Sequence, residues 1–155
     1  MAKEIERKFL VDANKWGKTG TPVKIEQAYL VTEPDKVIRV RIKGEHAFLT
    51  IKGNLNGITR DEFEYEIPVH DALQLMEMRT GALVSKTRFV EIIDNKTWET
   101  DVFEGENQGL IVAEIELENE NEAFNPPPWT TLEVSTDVRY YNFNLSKNPF
   151  SKWNK

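Results

Sequence analysis

At 155 residues with a formal charge of −6, the chain is long enough for one domain that buries roughly 70% of the surface its unfolded form would expose, and its acidic balance argues against a broadly basic nucleic-acid surface. The absence of cysteine excludes a disulfide framework and any thiolate metal site, and two histidines, His46 and His70, are too few for a nitrogen-rich zinc centre, so any bound metal must be held by oxygen. No run approaches the roughly 20 apolar residues of a membrane helix, and the N-terminus lacks the basic, apolar, small-residue order of a secretory signal, which predicts a cytoplasmic protein with no membrane partner.

Period-2 alternation predicts strands at about 3–11, 25–32, 36–43, 47–53 and 59–68, separated by the turn signals "EPDK", "KGE" and "GNLNG". A helix is predicted in "HDALQLMEMRTG", with Asp71 at its N-cap, Leu73, Leu75, Met76 and Met78 as apolar surface, and Gly81 ending it. Strands at about 83–93, 96–103 and 110–118 follow, the first two joined by "IIDNKT". A short helix is expected in "ENENEAF" before Pro126, and "PPP" then forces an extended corner. A last helix, at about 136–148, carries Val138, Tyr141 and Leu145 at helical spacing and leaves a short tail at 149–155. Connections this short predict antiparallel neighbours. No linker or repeat interrupts the chain, so 1–155 reads as a single mainly β (α+β) domain.

The parity of charge along these strands is the most informative pattern. Successive strand residues face opposite ways, so Glu4, Glu6 and Lys8 share one face of "EIERKFLV". Arg39 and Arg41 share one in "VIRVRIK", Glu62, Glu64 and Glu66 in "DEFEYEI", and Lys86 and Arg88 in "SKTRF". Glu99 and Asp101 repeat the pattern in "WETDV", as do Glu114 and Glu116 in "AEIEL", and Lys52 adds a single charge in "LTIKG". One such strand is an ordinary solvated face. The recurrence of same-sign pairs two residues apart is not, because like charges crowded on one face repel. Parity alone leaves open whether this face lies inside or outside a closed sheet. An inward charged face demands pairing, hydration or bound ions.

In order along the chain, "EIERKFLV", "QAYL", "IRVRI", "TIKG", "TRDEFEYEI", "SKTRF", "ETDVFEG", "AEIELENENEAF", "PPPW" and "EVSTDVRYYN" resemble the short bacterial members of the CYTH domain, or triphosphate tunnel metalloenzyme, family. The resemblance implies a closed eight-stranded antiparallel β-barrel with a charged interior and a few external helices. It also implies metal-dependent hydrolysis of a triphosphate, most simply inorganic tripolyphosphate, with Mg²⁺ or Mn²⁺ as cofactor. On this reading Lys8, Arg39, Arg41, Lys52, Lys86 and Arg88 cradle the phosphates, and Arg139 reaches in from one end. Guanidinium forks and ammonium charges suit a substrate carrying about four or five negative charges. Glu4, Glu6, Glu114 and Glu116 are the foremost metal ligands, with Glu64 and Asp101 behind them, while Glu62, Glu66 and Glu99 brace the cations. The catalytic set implied is Glu4, Glu6, Lys8 and Tyr29, the last matching a tyrosine taken as proton acceptor in short members. The same family admits adenylate cyclases of class IV and thiamine-triphosphatases, and a non-catalytic polyphosphate- or nucleotide-binding module is the reading from another class. The implied partner is a small triphosphate compound, not a nucleic acid, and the chain is expected as a monomer or homodimer. His46, His70, the four tryptophans and the pair Arg60 and Asp61 are assigned no role, the last as a solvated pair.

Overall fold

The alternating segments form nine strands in a computed structural model that describes residues 3–56 and 58–154, with only the backbone of 55 and 56. In chain order they are β1 (Lys3–Val11), β2 (Thr21–Glu33), β3 (Lys36–Lys43), β4 (His46–Asn56), β5 (Thr59–Ile67), β6 (Thr80–Ile93), β7 (Lys96–Phe103), β8 (Ile111–Glu116) and β9 (Thr130–Glu133). Two helices, α1 (Val69–Met76) and α2 (Asn142–Lys147), accompany them. The strand order β5-β4-β3-β2-β6-β7-β8-β1 closes through a β1–β5 pairing into an antiparallel eight-stranded barrel, and β9 is an extra strand against β1. The expected "GNLNG" turn falls partly outside the described residues.

Turn chemistry fixes the registers. Asp94 and Asn95 both adopt positive φ (51° and 63°) between the paired residues Ile93 and Lys96, as a two-residue type I′ hairpin requires. Gly44, at φ 60°, turns β3 into β4. β2 starts earlier than predicted, and Pro22 is tolerated there because that end of β2 has left β3 and pairs only with β6. On one edge β1 has β8 along Glu6–Leu10. Its other edge is divided, β5 meeting Lys3–Ile5 and β9 meeting Phe9 and Val11.

The helical expectations need correction. Pro68, not Asp71, stands at the N-cap of α1, and Asp71 lies in its first turn. The helix ends at Met76, whereas Gly81 sits inside β6 at φ 75°. "ENENEAF" forms a turn: Asn119 Oδ1 accepts from Asn121 N–H and Glu122 Oε1 from Glu118 N–H, local bonds that compete with helix. The expected last helix is two pieces, a 3-10 turn at Val138–Tyr140 and α2, separated by Tyr141 in an extended conformation (φ −71°, ψ 135°). The tail is docked, with a 3-10 turn at Phe150–Lys152 and the Trp153 ring edge-on to Tyr140 and Phe150; Lys155 lies outside the described residues.

Apolar residues of outward parity make two external cores. Phe9, Trp16, Trp98, Trp129 and Ile115 pack outside β1, β7 and β8, with Trp98 facing Phe124 and Trp129 edge-on. Ala28, Val40 and Ala47 pack under Ala72 and Met76 of α1. A third cluster lies inside the barrel: Tyr29, Val37, Val84, Phe103, Leu110 and Val112 meet Leu145 of α2, with Phe143 beside them. One end of the barrel is therefore filled by apolar side chains and stoppered by α2. Among the described residues no helix is long and apolar enough to cross a membrane.

Candidate active site: a charged tunnel closed at one end

The charged face is the inner one. Residues directly opposite on neighbouring strands share a face, and the ladders set Lys8 opposite Glu114, Glu6 opposite Glu116, Arg88 opposite Asp101, Lys52 opposite Glu62 and Glu4 opposite Arg60. The apolar alternates of these strands supply the external cores, so reversing the sheet would expose them to water.

Buried charges need partners, and the interior supplies most of them. Lys8 Nζ lies 2.9 Å from Glu114 Oε1 and 3.3 Å from Glu6 Oε1, and Lys52 Nζ lies 2.7 Å from Glu4 Oε1. Arg88 grips Asp101 with two parallel bonds of 2.8 and 2.9 Å and reaches Glu99 at 3.3 Å. The same Asp101 holds Lys86 Nζ at 2.7 Å, and Lys86 donates to Asn142 Oδ1 of α2 at 3.1 Å. Burial, only partly offset by Asp101, pushes the wholly enclosed Lys86 ammonium down to about 7. Arg39 bonds Thr50 Oγ1 at 3.1 Å and, more loosely, Glu64 Oε2 at 3.4 Å.

Glu4, Glu6 and Glu116 form a separate group whose carboxylate oxygens lie within 4.8 Å of one another. Burial pushes the Glu4 and Glu6 carboxyls up, but Lys52 with a hydrogen bond to Glu62 for the first, and Lys8 with Lys52 and a hydrogen bond to Glu114 for the second, together outweigh it and hold both at about 2. Among the described residues Glu116 has no such cation. Burial, then the charges of Glu6, Glu99, Glu4 and Glu114, raise it to about 7. Glu62 also rises to about 7, through burial and then through its hydrogen bond to Glu4. Two ionised carboxylates and a third that keeps its proton for want of a cation, crowded together, are a suitable donor set for a hard divalent ion. The other expected ligands are engaged differently: Glu114 by Lys8, Glu64 by Thr50 at 2.7 Å, and Asp101 by Arg88 and Lys86.

The anion-binding side has its own organisation. Arg41 has no carboxylate at ion-pair distance among the described residues. Its Nε donates to Gln27 Oε1 at 2.9 Å, and Gln27 Nε2 donates to the Tyr29 hydroxyl at 2.8 Å. Burial, then the neighbouring Arg39 and Arg88 charges, lower the affinity of Arg41 for its proton, the mark of a cation awaiting an anion. A cavity of about 170 Å³ runs between the acidic group and Arg41, and a smaller chamber of about 30 Å³ lies beyond it against Tyr141, Asn142 and Phe143. The wide end opens past Glu64 and Glu116, which are exposed at the rim.

Arg139 does not reach this space. It is exposed, bonded to Asp137 at 2.6 Å and stacked against Tyr140 and Trp153, because it belongs to the 3-10 turn outside the stopper. Glu66 pairs with His46 at 2.8 Å on the surface. Arg60 and Asp61, taken in sequence as solvated, are both buried. Asp61 is bonded by Lys3 and Asn54, and Arg60 points into the inner chamber. Sequence reasoning also missed Gln27, Lys43 and Asn142, which line or connect the cavities. Arg60 and Lys43 had the right parity beside Glu62 and Arg41; Asn142 had no strand pattern to announce it.

With this geometry in view, the CYTH domain model matches residues 2–147. An inorganic triphosphatase of Acetivibrio thermocellus is 42% identical over 154 residues, 99% of each chain. One of Nitrosomonas europaea is 38% identical over 143 residues, 90% of this chain and 93% of its own. The crystal structure of an inorganic triphosphatase superposes with a TM-score of 0.68 at 36% identity, covering 94% of this chain and 95% of the other.

Proposed function

Because this chain belongs to the CYTH domain family, matched over residues 2–147, we propose that it is a cytoplasmic, metal-dependent phosphohydrolase acting on inorganic triphosphate. The observation that carries the reading is the presence, along one tunnel, of a three-carboxylate group and an Arg41 guanidinium that, among the described residues, has no carboxylate at ion-pair distance. The names of the two relatives above support the same substrate.

Glu4, Glu6 and Glu116 are the residues to hold Mg²⁺ or Mn²⁺, since an all-oxygen donor set suits both. When bound, the metal neutralises phosphate oxygens and the charge that develops on them. Lys8, Arg39, Arg41, Lys52, Lys86 and Arg88 orient the chain of phosphates, guanidiniums by forked bonds and ammoniums as point charges. Glu64, Glu99, Asp101 and Glu114 keep those cations extended into the cavity, while Glu62 is hydrogen-bonded to Glu4. Water attacks a terminal phosphorus in line, a new P–O bond forms, and the bridging P–O bond breaks to leave diphosphate and orthophosphate. Gln27 fills an acceptor position on the Tyr29 oxygen, leaving the hydroxyl proton to face the cavity, where Tyr29 positions the attacking water. Most of the acceleration comes from positioning and preset charge.

Purified protein with Mg²⁺ or Mn²⁺, offered tripolyphosphate, thiamine triphosphate and ATP in parallel, should release orthophosphate fastest from tripolyphosphate. Glu6→Gln should lose at least about a hundredfold in turnover. Formation of cyclic AMP from ATP, or an unimpaired Glu6→Gln enzyme, would overturn the reading.

A further inference from the structure

The geometry points to a second anion subsite at the stoppered end of the tunnel, in which Arg60 receives the terminal phosphoryl group of a short polyphosphate. The substrate class rests on the phosphohydrolase reading; the subsite rests on the surroundings of Arg60. Its backbone lies opposite Glu4 and its side chain has the inward parity of Glu62. Arg60 is only 8% exposed, yet among the described residues its guanidinium has no hydrogen bond or ion pair, and its Nε lacks any acceptor. The Tyr141 ring presents its face to this guanidinium, 4.7 Å from Cζ.

Nearby carboxylates are already committed. Glu4 is taken by Lys52, and Asp61 by Lys3 and Asn54 on the other face of β5. The chamber into which Arg60 points is lined by Lys8, Arg39, Lys52 and Tyr29, and its single acid, Glu6, is bonded to Lys8. Of the four cations around this chamber, Lys8, Lys52 and Arg39 each have a carboxylate partner, and among the described residues Arg60 alone lacks a counter-charge. A phosphoryl group supplies one, with two oxygens matched to the guanidinium fork while the Tyr141 ring holds the plane of that fork. The volume, about 30 Å³, has room for about two waters. That admits a bare phosphate end and excludes a sugar or base. A triphosphate would therefore enter phosphate first, and any organic substituent would remain toward the open mouth.

The test compares wild type, Arg60→Met and Arg60→Lys in calorimetric titrations with tripolyphosphate and with orthophosphate, without divalent ions, alongside thermal unfolding and steady-state kinetics. Arg60→Met should weaken tripolyphosphate binding about tenfold or more and raise KM more than it lowers kcat. Arg60→Lys should lie between the two. Without anion, the Tm of Arg60→Met should not fall, because no ion pair is lost. Unchanged affinity in both variants, or a lower Tm with unchanged affinity, would overturn the subsite. Should Arg60→Met fail to fold, the affinity of Arg60→Lys decides alone. Wild type that binds tripolyphosphate without hydrolysing it would remove the functional reading while the affinities still decide on Arg60.

Discussion

Gln27 carries no charge, yet it links two residues of the proposed site, accepting from Arg41 and donating to Tyr29. Gln27→Leu keeps the volume but leaves a buried guanidinium N–H without an acceptor. Urea unfolding should show a loss of about 1–3 kcal/mol, and turnover should fall with it. Glu116 makes the opposite case. Its charge is opposed by four neighbouring carboxylates, so Glu116→Gln should make the metal-free protein more stable at pH 8 while weakening Mn²⁺ binding about tenfold or more, by calorimetry. Equal Mn²⁺ affinity in the two proteins would take Glu116 out of the ligand set. Parity made Glu116 legible in the sequence because it is charged. Gln27 was not, since an amide on an inward face reads like any strand residue until its two partners are in view.

At the scale of elements, Gly81 sets how closely β6 and α2 approach each other. Its φ of 75° and its approach to α2 leave no room for a side chain: a Cβ there would stand 2.6 Å from the Ser146 carbonyl oxygen. Gly81→Ala should cost about 1–3 kcal/mol in strain and displacement and should shift Asn142 away from Lys86. Thermal unfolding and a raised KM would register this; wild-type values for both would show that the contact between β6 and α2 is not needed. Most strands were readable because alternation survives any register. β9, four residues after a proline corner, offered too little alternation to be read. The final helix was read as one piece because Val138, Tyr141 and Leu145 keep helical spacing, but only Leu145 is fully buried, Val138 facing solvent, and packing chose the break at Tyr141. Arg60 was overlooked because Asp61 beside it suggested a pair, whereas adjacent strand residues face opposite ways and cannot meet on one side.

For the whole molecule, an interior of paired and unpaired charges links stability to pH and to ligands. Glu62 and Glu116 bind protons more tightly in the folded protein, at about 7 against 4.5. The metal-free fold therefore holds more protons than the unfolded chain between those values, and its stability should decline as pH rises from about 5 to 7. Mn²⁺ held by Glu4, Glu6 and Glu116 would displace the Glu116 proton. It should raise Tm more at pH 7.5 than at pH 5, and scanning calorimetry at both values checks this. An equal shift at both would mean that ion binding is not linked to these carboxyls.

The stopper formed by α2 and its apolar cluster also governs traffic. A conduit open at both ends would let fragments depart on opposite sides, but here everything arrives and leaves by one door. The fragment nearest that door must exit before the one lodged behind it, so the order of product release is imposed by the architecture and not by relative affinity.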